Sequence, residues 1–261
     1  ILIVSLFLTG FQCGSAEMTS AKLYLTDKNL NLDKADTVLT RELEKNPNNA
    51  EAWYLLGHVH SRREDFVKAI EAYEKSLAIS KDFEPQIDPE KKYAWGQSLN
   101  GGANVYKKSV NAPPDSQVIY RHKAVEANRL AIRIYPDSLI GYRNLAIALH
   151  SLGNFDEEIS TLKEATRQRP DPSIDTLVVF AYQGKVNDLL QKARATEAQG
   201  KKAEAVQMYD NAIAVVGDAR RIEPDNPELL NVLIDLHVRA GKSEQAMPFI
   251  REALAKDPTK K

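Results

Sequence analysis

Five histidines and one cysteine are the side chains of this 261-residue chain best suited to holding a metal or attacking a substrate. His58 and His60 stand two residues apart, which on a helix turns them about 200° from each other, so they cannot chelate one ion together. His60 and His237 occupy positions where an aromatic body packs between helices, and His122 and His150 are isolated, with no HExxH pairing in the chain. Cys13 has no histidine partner for nucleophilic catalysis, and a single cysteine supports neither an internal disulfide framework nor a Cys-rich zinc site. Gly101-Gly102 lies in a helical pattern and lacks the Lys-Ser/Thr of a phosphate loop, so close helix packing accounts for it better. The acidic pairs Glu64-Asp65 and Glu157-Glu158 fall in turns or first helical turns, where negative charge favours the helix dipole. No catalytic residue, metal site or cofactor is expected, and the chain does not read as an enzyme.

Composition narrows the class further. Thirty-five basic against 36 acidic side chains give a net charge of -1, without the basic surplus of a nucleic-acid binder. A mean hydropathy of -0.41 excludes a polytopic membrane protein, and 43% hydrophobic residues are too many for a disordered chain.

The first residues carry export chemistry. Positions 1–11, ILIVSLFLTGF, form an uncharged apolar run, shorter than the ~20 residues that span a bilayer and suited to the core of a secretory signal. With neither a Met nor basic residues before it, the sequence is expected to start inside a truncated signal peptide covering 1–16. Cys13 directly follows the run, where a bacterial lipoprotein carries its lipidated cysteine, although Gln12 and Gly10 depart from the usual lipobox. Cleavage after Ala16, behind Gly14-Ser15-Ala16, is the competing reading, and a third leaves Cys13 as a small apolar residue of the signal. All three place the folded part outside the cytoplasm, periplasmic or associated with the outer membrane. A lipid on Cys13 would anchor the protein without a spanning helix.

The remainder repeats. Pro47, Leu56, Gly57, Phe66 and Ile70 reappear 89 residues on as Pro136, Leu145, Ala146, Phe155 and Ile159. Leu145, Gly153, Ala165 and Pro170 return 88 residues later as Leu233, Gly241, Ala253 and Pro258. Both offsets are two 34-residue periods with about 20 residues inserted. Within a period, Trp53, Leu56, Gly57 and His60 have helical spacing, a polar break follows, and Phe66, Ala69, Ile70, Tyr73 and Leu77 resume it. Each period is therefore a helical hairpin, with small residues where two helices must approach and proline where the second helix stops.

This pattern resembles the tetratricopeptide repeat, through Trp-x2-Leu-Gly at 53–57, Ala69, Tyr73 and the closing prolines. The resemblance implies an all-α, right-handed solenoid over 17–261. Its units lie near 16–49, 50–83, 139–172 and 227–260, with degenerate units near 93–137 and 186–223. It also implies a scaffold that binds other proteins. On the first helices, projection places Tyr54, His58, Ser61, Arg62, Asn100, Asn104, Lys107, Lys108, Arg143, Ile147, His150, Arg194, Glu197, Asn231, Asp235 and Arg239 on a groove face. Asn can hold an extended peptide backbone and Arg can fork onto a carboxylate, so an acidic or C-terminal peptide segment is the expected partner. The Lys–Asn pattern of the family's carboxylate-clamping members is not reproduced. The function expected from the sequence is a lipid-anchored adaptor of an envelope assembly or secretion complex, with a soluble exported peptide- or glycan-binding module as the alternative.

Overall fold

The computed structural model describes residues 15–256, so Cys13 and all but the last two residues of the expected signal segment 1–16 lie outside the described residues. Among the described residues there are twelve α-helices, two short 3-10 turns and no strand. The helices pair in sequence as six hairpins, the all-α solenoid arrangement expected from the repeat. They are α1 (Ala16–Tyr24) with α2 (Leu32–Lys45), α3 (Ala50–Arg62) with α4 (Phe66–Ile79), and α5 (Glu84–Val110) with α6 (Pro114–Ile134). They continue with α7 (Leu139–Ser151) and α8 (Phe155–Gln168), α9 (Pro172–Ala198) and α10 (Lys202–Ile222), and α11 (Pro227–Arg239) and α12 (Ser243–Lys256). No described helix is long and apolar enough to cross a membrane. The chain divides into two compact units, 1–97 and 98–261.

In the first unit, Ala35, Leu39 and Leu43 recur along one face of α2 and bury against Met18, Ala21, Ala52, Leu56 and Val59. Gly57 has a steric role there: a β-carbon at this position would stand 2.4 Å from the ring of Tyr73, which is fully buried on α4. The helices start where polar side chains satisfy free N–H groups. Ser15 accepts from the Met18 N–H, Asn31 from Lys34 and Asn49 from Ala52.

In the second unit one continuous core runs from Leu139 on α7 through Leu162, Ile174, Tyr182 and Tyr209 to Leu236 on α11. The inserted residues are helix rather than loop. Helices α5 and α9 each run 27 residues and α6 and α10 each 21, against 13 and 14 in the ordinary hairpins. The two degenerate units thus begin at Glu84 and Pro172, earlier than the boundaries at 93 and 186 drawn from the sequence. Pro85 and Pro172 stand at the second and first positions of their helices, where the N–H would have lacked a carbonyl partner in any case, whereas Pro89 lies inside α5.

Four of the turns inside hairpins share one geometry, with a left-handed residue followed by a backbone N–H that bonds back five residues. Gly153, Gly200 and Gly241 take this position, and in the α3–α4 turn Glu64 takes it with φ 59°. The accompanying bonds are Asp65 N–H to His60, Asn154 to Leu149, Lys201 to Thr196 and Lys242 to His237.

Candidate functional site

The groove residues expected on the first helices fall into two environments. In the first unit they are largely covered by the chain itself. The Tyr54 ring stacks on Phe83 at 5.4 Å and lies 6.5 Å from Tyr73. His58 Nδ1 lies 3.0 Å from a carboxylate oxygen of Glu90 on α5, and the Ser61 hydroxyl donates to the other oxygen at 2.8 Å. Ser61 is buried, contrary to its expected place on the open face, because Glu90 closes over it. The hydrogen bond from His58, helped by that from Ser61, holds the Glu90 carboxyl below the usual carboxylate range against its partial burial. Arg62 remains exposed at the rim of a cleft of about 420 Å³ that also includes His58, Glu90 and Tyr93.

In the second unit more of the face is open. Asn100, Asn104, Lys107 and Lys108 are exposed on α5. On α7, Ile140 and Ile147 are about half exposed, and Phe180 on α9 is equally so. Between them stands His150, its ring stacked on Phe180 at 4.7 Å and edge-on to Phe155 at 5.2 Å. Gly184 permits this, since a β-carbon there would stand 2.6 Å from Phe155 and 2.8 Å from His150. Beneath the ring, His150 Nδ1 is 3.0 and 3.1 Å from the two carboxylate oxygens of Glu158, which is only 3% exposed. Burial pushes the Glu158 carboxyl up to about 8 and lowers His150 below its ordinary value. At neutral pH the pair therefore carries one proton and little net charge.

Other expected residues are engaged within the chain. Arg143 bonds the Ser173 hydroxyl and lies 3.6 Å from Asp171, so it does not project freely. Arg239 pairs with Asp235 at 2.6 Å, and Glu197 accepts from the Tyr209 hydroxyl at 3.2 Å. Arg194 and Asn231 are exposed. Near the latter, α9, α10 and α11 border a narrow crevice of about 270 Å³, whose wall includes Tyr182, Val186, Leu229 and Val232. No group of three or more His, Cys, Asp or Glu side chains able to hold a metal occurs among the described residues.

Sequence reading overlooked Phe180 and Glu90, and it took Glu158 only as a first-turn acid of α8, where the structure buries it under His150. Repeat spacing held one usable signal. Glu90 follows His58 by 32 residues, close to one period, and cross-repeat contacts such as Arg63–Asp33 and Lys242–Asp210 have similar separations.

Tetratricopeptide-repeat family models match residues 50–83 and 197–260. The first match coincides with the α3–α4 hairpin, and the second runs from the end of α9 through α12. These two segments thus match tetratricopeptide repeats, a fold that generally mediates binding of proteins or peptides. Among curated relatives, Protein FlbA of Caulobacter vibrioides is 28% identical over 141 residues, covering 54% of this chain and 20% of that protein. The TPR repeat-containing protein YpiA of Bacillus subtilis is 26% identical over 167 residues, covering 62% and 33%. The chain thus spans between a fifth and a third of the length of these relatives. Among solved structures, a thermophilic TPR protein of Thermus thermophilus aligns over 88% of this chain and 100% of its own, at 19% identity and a TM-score of 0.32.

Proposed function

We propose that this chain is a non-enzymatic protein-interaction scaffold of the bacterial envelope, an adaptor for an assembly or secretion complex, held at the membrane by a lipid on Cys13. The observation that carries the scaffold reading is the open first-helix face of residues 98–256. There Ile140, Ile147 and Phe180 stand half exposed in a unit that also exposes Asn100, Asn104, Lys107, Arg194 and Asn231. Apolar anchors among amide and basic groups suit an extended segment with apolar side chains and a carboxylate, such as an acidic stretch or a chain terminus.

Ser15 supports the anchored reading over the soluble exported module. Its hydroxyl caps α1 and donates to Glu42, a glutamate only 1% exposed. Cleavage after Ala16 would remove Ser15 and leave that carboxylate one donor short, whereas cleavage before Cys13 keeps the contact. Crosslinking from envelope fractions, followed by a high-salt wash, tests both parts of the proposal. The native chain is expected to stay in the membrane fraction with a protein partner attached, and the Cys13→Ala chain to leave it. Retention without Cys13 would contradict the anchor. A freely soluble chain that takes up peptides and captures no membrane partner would favour the module.

A further inference from the structure

The hairpin tip between α5 and α6 differs from the rest of the second unit in charge and in exposed apolar surface. Residues 104–123 carry four basic side chains, Lys107, Lys108, Arg121 and Lys123, against the single acid Asp115, in a chain whose overall charge is -1. Elsewhere in the unit cations meet carboxylates: Arg129 meets Glu157, Arg143 Asp171, Lys185 Asp156, Arg220 Glu252 and Lys242 Asp210. None of the ion pairs among the described residues includes Lys107, Lys108 or Lys123. The same stretch exposes aliphatic side chains, Val110 at 61%, Val118 at 48% and Ile119 at 56%. Pro113 and Pro114 are exposed between them.

Hydrogen bonds tie the tip together. The Ser116 and Gln117 N–H groups bond the Pro113 carbonyl, the Gln117 side chain donates to Ala112, and Arg121 is fastened to the Ser151 carbonyl and to Gln117. Between the ends of the two helices lies a cleft of about 690 Å³ bordered by Asn104, Lys107, Lys108, Ser116 and Tyr120. Ammonium, amide and hydroxyl donors thus converge on a hollow of headgroup size, with aliphatic side chains beside it.

We propose that the α5–α6 tip docks on an anionic lipid surface, with the Lys107/Lys108 cleft receiving a headgroup phosphate and Val110, Val118 and Ile119 dipping into the acyl boundary. Unpaired lysines draw the tip to a negative surface, and a few buried aliphatic side chains then hold it there. Neither contribution alone gives lasting attachment, whereas a polybasic patch combined with apolar insertion does. The docking stands on residues 104–123 and does not depend on a lipid at Cys13. It would orient an anchored scaffold by fixing one hairpin to the bilayer.

The test places a nitroxide at Val118→Cys in the full chain carrying Cys13→Ala. On phosphatidylglycerol vesicles the label is expected to gain oxygen collisions and lose contact with a water-soluble nickel chelate. On phosphatidylcholine vesicles, or in high salt that screens the lysines, it should stay in water. Lys107→Glu with Lys108→Glu should weaken insertion about tenfold or more. Lys107→Gln with Lys108→Gln should have a smaller effect in the same direction, and circular dichroism checks that both variants remain folded. A label that stays in water on phosphatidylglycerol would overturn the proposal. So would one that enters both vesicle types alike, or enters regardless of the lysines, because the N-terminal apolar run would then be responsible.

Discussion

Tyr54 and Ile147 both stand on the first helix of an ordinary hairpin, yet one is covered and the other faces water. After α4 the chain turns through 80–83, placing Phe83 over Tyr54, and α5 then brings Glu90 to His58 and Ser61. After α8 the following helix instead presents Phe180 beside His150, with Ile140 and Ile147 uncovered. One repeat architecture therefore yields a self-satisfied face in residues 15–97 and an open one in 98–256. The distinction lies in what the succeeding helix offers, not in the hairpin that carries the face.

Two buried glutamates differ in the same way. Glu42 faces strong opposition from burial, yet hydrogen bonds from Ser15, Asn49 and Asn46 together hold its carboxyl below the ordinary range. Glu158, similarly buried, has only His150 and is pushed up to about 8. The number of donors reaching the carboxylate decides between a charged and a neutral buried group. Stability contributed by Glu42 is present at neutral pH and lost in acid. That from Glu158 is complete below its ordinary 4.5 and lost as pH rises towards 8. His150, lowered from 6.5, works the other way in acid, so the net loss in the second unit falls between about pH 6.5 and 8.

The largest expected effect is at Gly57. Gly57→Val drives a branched side chain into the Tyr73 ring and should cost about 3 kcal/mol, read as a lower urea midpoint for residues 15–97. An unchanged midpoint would mean the two helices are not held at that crossing. Next, Ile147→Asp with Phe180→Ser should weaken partner binding by about 2 kcal/mol, roughly 30-fold by titration calorimetry. Tyr54→Ala should lower the melting temperature and leave affinity alone. Equal losses of affinity in both would erase the difference between the faces. Third, the second unit should melt on the order of 5 °C lower at pH 8.5 than at pH 6.5. Glu158→Gln should flatten that slope, and a persistent slope would assign it to another group. The smallest effect concerns Glu64, a non-glycine residue in the left-handed region where three other turns have glycine. Glu64→Gly should stabilise by about 0.5–1 kcal/mol in thermal unfolding.

The hairpins were legible in the sequence because their demands are local and periodic. Trp53, Leu56, Gly57 and Tyr73 mark where two helices touch, and Pro47 and Pro136 mark where one ends. The long helices were harder to read, since proline breaks a helix interior but is tolerated at its start, as at Pro85 and Pro172. Asn100, Asn104 and Lys107 are exposed on α5, and projecting them to its surface needed only that helix's own periodicity. Helical projection could not find the carboxylates under His58 and His150. Those contacts depend on which side chain a neighbouring helix brings within 3 Å. The engagement of Arg143 by Asp171 escaped it for the same reason.

A photo-crosslinking amino acid placed at position 147 in one chain and at position 54 in another, both expressed in the native cell, puts the central claim to the most direct trial. The account predicts a discrete crosslinked protein from position 147 and none from position 54. Crosslinks of equal yield from both, or from position 54 alone, would contradict it.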